Sequence, residues 1–269
     1  MKRLSKILVS LMFIGVGIIL YSTSIEKQLL SIKNIKMSTE SKDLKGIRIA
    51  YFTDTHYNGE KDNKIIDRLI EKINKLNTDI VIFTGDLVDS KYSGNNLEYL
   101  TSALSRIEAR YGKYAVYGNH ERNMGREVRY NKILKDSGFK LLVNEEKLIE
   151  VGDSKLSLIG LDDYLLGEYI DILPNNESDY SIVLSHEPDR ANRLDSSKYD
   201  LQLSGHTHGG QVRLPFIGRL TTVKGGTFYD KGMYNISDRM SLFVSSGIGN
   251  SRLDIRAGNI PEIVIIELV

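Results

Sequence analysis

The chain of 269 residues contains no cysteine and no tryptophan, and it has only four prolines and five histidines. The lack of cysteine excludes disulfides and thiolate metal sites, so any metal ion must be held by nitrogen and oxygen ligands. The formal net charge is +1 and no run of five Lys or Arg residues occurs, so we expect no nucleic-acid partner. The remaining composition, 41% hydrophobic and 26% charged, is sufficient for one large α/β domain.

The N-terminus differs from this average composition. Lys2, Arg3 and Lys6 precede an uncharged stretch, 7–25, which is long enough to cross a bilayer as a helix. A basic start followed by an apolar run is typical of an export segment. An uncleaved membrane anchor and a cleaved signal peptide both fit, and we expect the anchor because no Ala-x-Ala-like cleavage site follows. A buried core helix is the third alternative.

We expect three parts along the chain: an anchor or signal segment at 1–25, a connector with a leading strand at 26–44, and one folded domain at 45–269. The basic residues nearest the apolar segment favour an N-terminus inside the cell. This orientation places the domain at the cell membrane on its extracytoplasmic side. Cleavage of the segment would instead give a secreted protein.

Strands and helices alternate through most of the domain. Residues 45–52 predict a buried strand, and 62–76 predict a helix because apolar residues recur there at helical spacing. Further strands are predicted at 79–84, 114–117, 156–160, 181–184, 201–204, 241–245 and 263–269, and further helices at 97–107 and 126–137. Polar motifs directly follow several of these strands, which is where ligand sites assemble in open α/β sheets.

All five histidines fall in these polar motifs. The motifs are Asp54-Thr55-His56, Gly85-Asp86 with Asp89 three positions later, Gly118-Asn119-His120-Glu121, Ser185-His186-Glu187 and Gly205-His206-Thr207-His208. Imidazole is the commonest protein metal ligand, and this chain has no histidine elsewhere. Each motif alone is a common polar turn, and a lone histidine such as His186 is usually structural. The set, in its order, predicts a metal site.

In this order, the motifs over residues 46–210 resemble the calcineurin-like metallophosphoesterase superfamily. The sequence SGHTHGGQ at 204–211, the later Gly-Ile-Gly at 247–249 and the apolar N-terminus resemble its membrane-associated bacterial branch, the YkuE/YaeI-like phosphoesterases. The resemblance implies an α/β fold, namely a four-layer α/β/β/α sandwich with two metal ions at the strand ends, over 45–269.

The resemblance also implies roles for the residues of the motifs. The first metal ion would be held by Asp54, His56, Asp86 and His208, and the second by Asp86, Asn119, His186 and His206. Asp86 would bridge the two ions. Mixed nitrogen and oxygen ligation suits Mn, Fe, Zn or Co. His120 would contact the phosphate, either as general acid for the leaving group or as a stabiliser of the transition state.

Four further residues have two interpretations each. Asp89 and Glu121 could orient the imidazole N–H groups of the ligands, or they could be solvated carboxylates in turns. Arg122 and Arg213 could bind a second phosphate or an anionic headgroup, or they could be solvated. The same choice applies to two other arginines near the motifs, Arg126 and Arg219.

The implied function is a membrane-associated, dinuclear metal-dependent phosphoesterase. It would hydrolyse a phosphodiester or a pyrophosphate by attack of a metal-bridging hydroxide. The substrate partner would be a phosphoester, with lipid-linked and cell-envelope compounds as candidates. An alternative with the same chemistry is a UDP-2,3-diacylglucosamine-type lipid-nucleotide pyrophosphatase. A different alternative, a non-catalytic binding module on the same fold, is disfavoured because every ligand position is intact.

Overall fold

The strands of the protein form two six-stranded sheets and one small hairpin. The computed structural model describes residues 2–92, 94, 97–123, 126–251 and 253–269, with residues 2–4 described by their backbone alone. The two sheets pack face to face, and the two-stranded hairpin lies apart from both.

The first sheet has the strand order β1-β14-β2-β3-β4-β5. Its strands are β1 (Ser31–Met37), β2 (Arg48–Phe52), β3 (Ile80–Phe83), β4 (Lys113–Ala115), β5 (Phe139–Leu141) and β14 (Glu262–Leu268). Strands β2 to β5 run parallel to one another, while β14 is antiparallel to β2 and parallel to β1. The last strand along the chain therefore lies inside the sheet, between its first two strands.

The second sheet has the strand order β12-β13-β9-β8-β7-β6. Its strands are β6 (Glu145–Val151), β7 (Ser154–Gly160), β8 (Tyr180–Leu184), β9 (Leu201–Ser204), β12 (Gly232–Asn235) and β13 (Ser241–Val244). The four inner strands are parallel, and β6 and β12 close the edges as antiparallel strands. The separate hairpin consists of β10 (Arg213–Leu214) and β11 (Gly218–Arg219).

Apolar side chains from both sheets fill the space between them. Ile49 of β2 and Ile82 of β3 belong to the same buried cluster as Ile182 of β8 and Leu203 of β9. Burial on both faces explains why these strands are continuous apolar runs in the sequence. This core fixes the strands, and so it also fixes the loops that leave their carboxyl ends.

Outer layers cover the two sheets. Helices α2 (Asn63–Lys75), α3 (Glu98–Ser105) and α5 (Glu127–Asp136) cover the first sheet. Helix α2 forms because its apolar residues recur every three or four positions, and all five of them are buried. A 3₁₀ helix, Pro188–Arg193, and nearby loops cover the second sheet. The predicted α/β class and layered sandwich are therefore confirmed.

The N-terminal helix α1 (Lys2–Leu20) continues through a π-helical turn at Tyr21–Ile25 and a 3₁₀ turn at Glu26–Gln28. The segment Ser5–Gln28 is long and apolar enough to cross a membrane, by length and composition. Only 6% of its most apolar window is buried, and Phe13 in the middle of the helix is 66% exposed. A buried core helix is therefore excluded.

Candidate metal centre

Loops from both sheets bring the predicted ligands together at one edge of the sandwich. Asp54 and His56 follow β2, Asp86 follows β3, Asn119 and His120 begin the short helix α4 (Asn119–Arg122) after β4, His186 follows β8, and His206 and His208 follow β9. Parallel strands end at the same sheet edge, so this convergence follows from the topology. Residues that lie up to 152 positions apart become neighbours.

Asp54, His56 and His208 form the first cluster of side chains. The Nε2 atoms of His56 and His208 are 2.9 Å apart, and they lie 3.8 and 3.5 Å from Asp54 Oδ1. Two nitrogen atoms bound at about 2.1 Å to one ion, at a right angle, lie about 3.0 Å from each other. The spacing of this cluster therefore fits one shared cation.

Asp86, His186 and His206 form the second cluster. His186 Nε2 lies 3.2 Å from Asp86 Oδ2, and His206 Nδ1 lies 3.0 Å from Asn119 Oδ1. The same Oδ2 atom of Asp86 is 3.5 Å from Nε2 of His56, which belongs to the first cluster. The Asp86 carboxylate therefore reaches both clusters, as a bridging ligand must.

Two imidazoles of the second cluster each donate a hydrogen bond from one ring nitrogen, so the other ring nitrogen faces the cluster. A backbone carbonyl can only accept, so His186 Nδ1 donates to Thr84 O at 2.7 Å and His206 Nε2 donates to Lys224 O at 2.8 Å. In the neutral imidazole, His206 Nδ1 then faces the amide oxygen of Asn119 with a lone pair. Two facing acceptors repel each other unless a cation lies between them, so these residues fit a metal ion.

The electrostatics of the cluster favour positive charge. Burial lowers the pKa of His206 and, more strongly, that of His208, which favours the neutral ligand form. Burial acts to raise the pKa of Asp86, but the imidazoles of His186 and His120 outweigh it and hold this pKa well below the usual range. Burial acts to lower the pKa of His186, but the carboxylates of Asp86 and Asp54 outweigh it and raise this pKa well above the ordinary value.

Strained backbone is concentrated at the same residues. Asp54, His56, Asp86, His206 and His208 all have left-handed φ angles, between 41° and 68°. A non-glycine residue in this region costs about 1–3 kcal/mol and persists only where surrounding contacts hold it. Strain of this kind clusters at functional sites, so the backbone marks the same residues as the side-chain chemistry.

Two glycines allow the ligand loops to approach this closely. A Cβ atom at Gly205 would lie 2.1 Å from Asp54 Oδ2, and a Cβ atom at Gly118 would lie 2.3 Å from Asp86 Oδ1. Any side chain at either position would push a ligand carboxylate out of the cluster. Glycine at these two motif positions therefore allows the backbone to pack closely against the ligand carboxylates.

His120 lies between the ligand clusters and the open cleft. Its Nε2 atom is 3.8 Å from Asp86 Oδ2, and its backbone N–H donates to Asp86 Oδ1 at 2.9 Å. The imidazole is mostly buried, and it lines a cleft of about 240 Å³ together with Asn119, His206 and Lys224. A group bound in this cleft would contact His120 and both clusters at once.

Glu121 corrects one prediction. Its carboxylate oxygens accept from the backbone N–H groups of Asp86, Leu87 and Gly118 at 2.8, 2.8 and 2.9 Å, not from an imidazole. Burial, followed by the charge of Asp86, raises the pKa of Glu121 to about 7. Glu121 therefore ties the loop after β3 to the loop after β4 and holds Asp86 in place through the backbone.

Asp89 lies in a turn, as its second interpretation has it, but its carboxylate is not solvated. Its Oδ1 atom accepts from the backbone N–H of Lys91 at 2.6 Å, which is a hydrogen bond within a turn. The carboxylate is buried, and it lines a pocket of about 200 Å³ next to His56. Asp89 is therefore a turn residue at the edge of the centre, and it offers a control for variants of Asp86.

Replacing Glu121 with alanine is expected to destabilise the protein by about 3 kcal/mol or more, because each buried amide left without its acceptor costs about 1–3 kcal/mol. Denaturant unfolding in detergent and chelator measures this loss without any contribution from bound metal. Glu71→Ala, on the exposed side of α2, is the control and should unfold at the wild-type denaturant concentration. Equal midpoints for both variants would refute the structural role of Glu121.

Carboxylates hold the two arginines for which phosphate binding was one of two interpretations. Arg122 forms a bidentate pair with Asp162, with N–O distances of 2.7 and 2.6 Å. Arg213 donates to Asp230 Oδ2 at 2.6 Å and to the backbone oxygen of Gly209 at 2.8 Å. Each guanidinium therefore fixes a loop beside the ligands and is not a solvated side chain. Contact of either arginine with a phosphate stays a prediction.

Lys224 and Arg256 are residues beside the site that the sequence did not indicate. Among the described residues that line the cleft, Lys224 is the only lysine or arginine. Arg256 is fully buried and donates to the backbone oxygens of Ser246 and Gly247, and this loop in turn donates to the backbone oxygen of Asp54. Neither residue lies in a motif, so only the folded chain identifies them.

Buried imidazoles, carboxylates and an amide that converge between two sheets on adjoining cation positions define a metal-dependent hydrolase. Residues 47–210 match the family profile described as calcineurin-like phosphoesterase. The chain therefore belongs to the calcineurin-like phosphoesterase family, and it is a metallophosphoesterase.

Relatives support this assignment along most of the chain. The metallophosphoesterase YkuE of Bacillus subtilis (strain 168) is 33% identical over 238 residues, which cover 87% of this chain and 83% of YkuE. The phosphodiesterase YaeI of Escherichia coli (strain K12) is 27% identical, with 82% of each chain covered. Among solved structures, a dimetal phosphatase from Danio rerio has a TM-score of 0.49 and 10% identity, covering 76% of this chain and 88% of its own.

Proposed function

We propose that the two clusters hold two divalent cations. Asp54, His56, Asp86 and His208 would hold the first, and Asp86, Asn119, His186 and His206 the second. The observation that carries this proposal is the pair of facing lone pairs on His206 Nδ1 and Asn119 Oδ1, which lie 3.0 Å apart. The position of Asp86, within 3.5 Å of ligands in both clusters, supports its role as the bridge.

These ligands suit the hydrolysis of a phosphoester. Two carboxylates offset only part of the roughly +4 charge of two divalent ions, while the imidazoles and the amide are neutral. Bound ions would neutralise charge on the phosphoryl oxygens and lower the pKa of a water molecule from 15.7 toward about 7. His120 would donate a hydrogen bond, and then a proton, to the leaving oxygen. Lys224 would bind an outer phosphate oxygen.

A phosphodiester or a pyrophosphate is the substrate class that we propose. The cleft holds His120 and Lys224 on the same side as the ligands, so it offers one donor for the leaving oxygen and one cation for a further anionic group. The relative YaeI, a phosphodiesterase, supports the same class. A UDP-2,3-diacylglucosamine-type pyrophosphatase remains the alternative for a lipid-linked substrate.

Metal analysis and a substrate screen test this proposal. The purified protein is loaded separately with Mn, Fe, Zn or Co, and its metal content is measured. Each form is then assayed on a phosphodiester, a phosphomonoester and a nucleotide-linked lipid. We expect two ions per chain and the fastest turnover on a diester or pyrophosphate. Two bound ions without any turnover would support the non-catalytic binding module.

We also propose that α1 is an uncleaved membrane anchor with the domain on the extracytoplasmic side. The exposed apolar face along α1 supports the anchor, because water is a poor environment for it. The anchor would end near residue 20 and not at 25, since Ser22 O accepts from the backbone N–H of Arg256 and Glu26 accepts from Asn259. These contacts join the end of the helix to the domain.

Deleting residues 1–20 is therefore expected to release a soluble protein with wild-type hydrolysis of a soluble phosphodiester. Deleting residues 1–37 is the control, since it also removes β1, exposes β14 and should lower the midpoint of thermal unfolding. Membrane fractionation of the full-length chain completes the test. An intact chain in the soluble fraction would contradict the anchor, and a chain exported and trimmed near Ser24 would identify a signal peptide.

A further inference from the structure

The hairpin β10–β11 presents apolar side chains that the rest of the protein does not cover. Phe216 at its tip is fully exposed, Ile217 is 70% exposed and Leu214 is 42% exposed. Single exposed apolar residues are common on soluble proteins, but a contiguous group of them marks a surface that contacts something else. This group, Leu214 to Ile217, is called the hairpin tip below.

The hairpin tip has a fixed shape. Phe216 has a left-handed φ of 66°, and the backbone N–H of Ile217 donates to Pro215 O at 2.8 Å. At the base of the hairpin, the Arg213 guanidinium is held by Asp230 and by the Gly209 carbonyl. These hydrogen bonds hold the base and the turn of the hairpin, and the tip projects an aromatic ring from them.

The hairpin tip lies beside the end of the membrane helix. Ile18 and Tyr21 line an open groove of about 1100 Å³ together with Leu214, Phe216 and Ile217. The apolar part of α1 ends at Leu20, and polar residues follow it. The tip therefore lies near the last apolar turn of the helix, where an anchored chain would leave the bilayer.

We propose that the hairpin tip is a second membrane contact, inserted into the lipid interface beside α1. This inference rests on the membrane anchor of the proposed function. The occupant is a phospholipid bilayer, because the tip shares its groove with the helix that the bilayer would surround. Aromatic and aliphatic side chains that enter the lipid interface leave water and contact acyl chains, which is favourable. Aromatic residues are also enriched at the membrane interface.

The second contact fixes how the catalytic domain faces the membrane. A single helix leaves the domain free to rotate about the helix axis, whereas a helix and a hairpin together define one orientation. The hairpin leads directly into Thr221, Val223 and Lys224, which line the metal cleft. The chain that forms this wall of the cleft is therefore continuous with the membrane contact, an arrangement that would suit a phosphoester carried by a lipid.

The absence of cysteine makes the depth of single positions measurable. Phe216→Cys reports on the tip, Phe13→Cys on the middle of α1, and Val128→Cys on an exposed position of α5. Helix α5 packs against β5, at the opposite edge of the first sheet from β1. Each full-length variant is labelled with an environment-sensitive fluorophore and reconstituted into phosphatidylcholine–phosphatidylglycerol vesicles. Unchanged hydrolysis of a soluble phosphodiester checks that each variant is folded.

Quenching by spin-labelled lipid and by aqueous iodide then gives the depth of each probe. We expect the probes at 13 and 216 to be quenched several-fold more by the lipid label than the probe at 128, with the reverse order for iodide. A lipid-quenched probe at 13 with an iodide-quenched probe at 216 would overturn the hairpin contact and leave the anchor intact. Iodide quenching of the probes at both 13 and 216 would overturn the hairpin contact and the membrane anchor together. Hydrolysis by all variants is measured separately, so failure of the enzyme assignment can be distinguished from failure of the hairpin contact.

Discussion

Replacing Asp86 with asparagine is expected to lower metal content and abolish hydrolysis together. The change removes one negative charge from the only residue that we assign to both cations, and its Oδ2 atom lies 3.2 Å from His186 and 3.5 Å from His56. Neutral asparagine cannot offset the charge of two ions at these distances. Metal analysis and the rate of phosphodiester hydrolysis, measured on the same preparation, test the expectation.

Asp89→Asn is the matched control for this variant. It makes the same chemical change three residues later in the same loop, at a carboxylate that accepts only a turn hydrogen bond in the described structure. An amide oxygen can still accept that bond, so both metal content and rate should stay near wild type. Near-normal occupancy of two metals with a normal rate in Asp86→Asn would rule out the bridging role.

Replacing His120 with alanine is expected to keep both metals while lowering kcat by about 10² to 10⁴-fold, the usual contribution of general acid catalysis. The reason is its position: the imidazole lines the cleft, and it is the one histidine of the five that we do not assign to a metal ion, although it also lies within reach of His56 and Asp86. A substrate with an acidic leaving group, such as a nitrophenyl diester, needs little protonation. The defect should therefore shrink for that substrate.

His206→Ala provides the comparison for His120→Ala. It removes a ligand of the second cluster, so metal content should fall and activity should be lost on every substrate. The assay compares metal stoichiometry with kcat on a poor and on a good leaving group. If His120→Ala lost metal as His206→Ala does, His120 would be a ligand. If it kept metal and full activity on the poor leaving group, it would have no acid role.

The sequence predicted that the motif residues would lie together, because each motif is a local signal. Each motif directly follows a strand, and the strands are buried apolar runs, so their order along the chain was enough to bring Asp54, Asp86 and His186 to one edge. Helix α2 was predicted within a residue of its bounds at each end, because five apolar positions repeat with a helical period.

What the sequence could not predict depends on distant partners. Arg122 binds Asp162 across 40 positions, and neither residue carries a local signal for the other. Glu121 accepts hydrogen bonds from backbone N–H groups. Since nearly every residue carries such a group, the sequence does not indicate which ones Glu121 binds. Strand β6 was not predicted because it is an edge strand with charged, half-exposed positions. The hairpin strands β10 and β11 have two residues each, too few for any periodicity.

The place of β14 determines when the metal centre can form. The chain is made from its N-terminus, so β1 and β2 emerge early, but β14, which pairs with both, emerges last. Until then β2 lacks one neighbour, and the loop at 247–249 cannot brace the backbone of Asp54. Pairing across most of the chain length is slow. The metal centre would therefore be completed only after β14 has paired, and the metals available where that happens would decide which ions the enzyme carries.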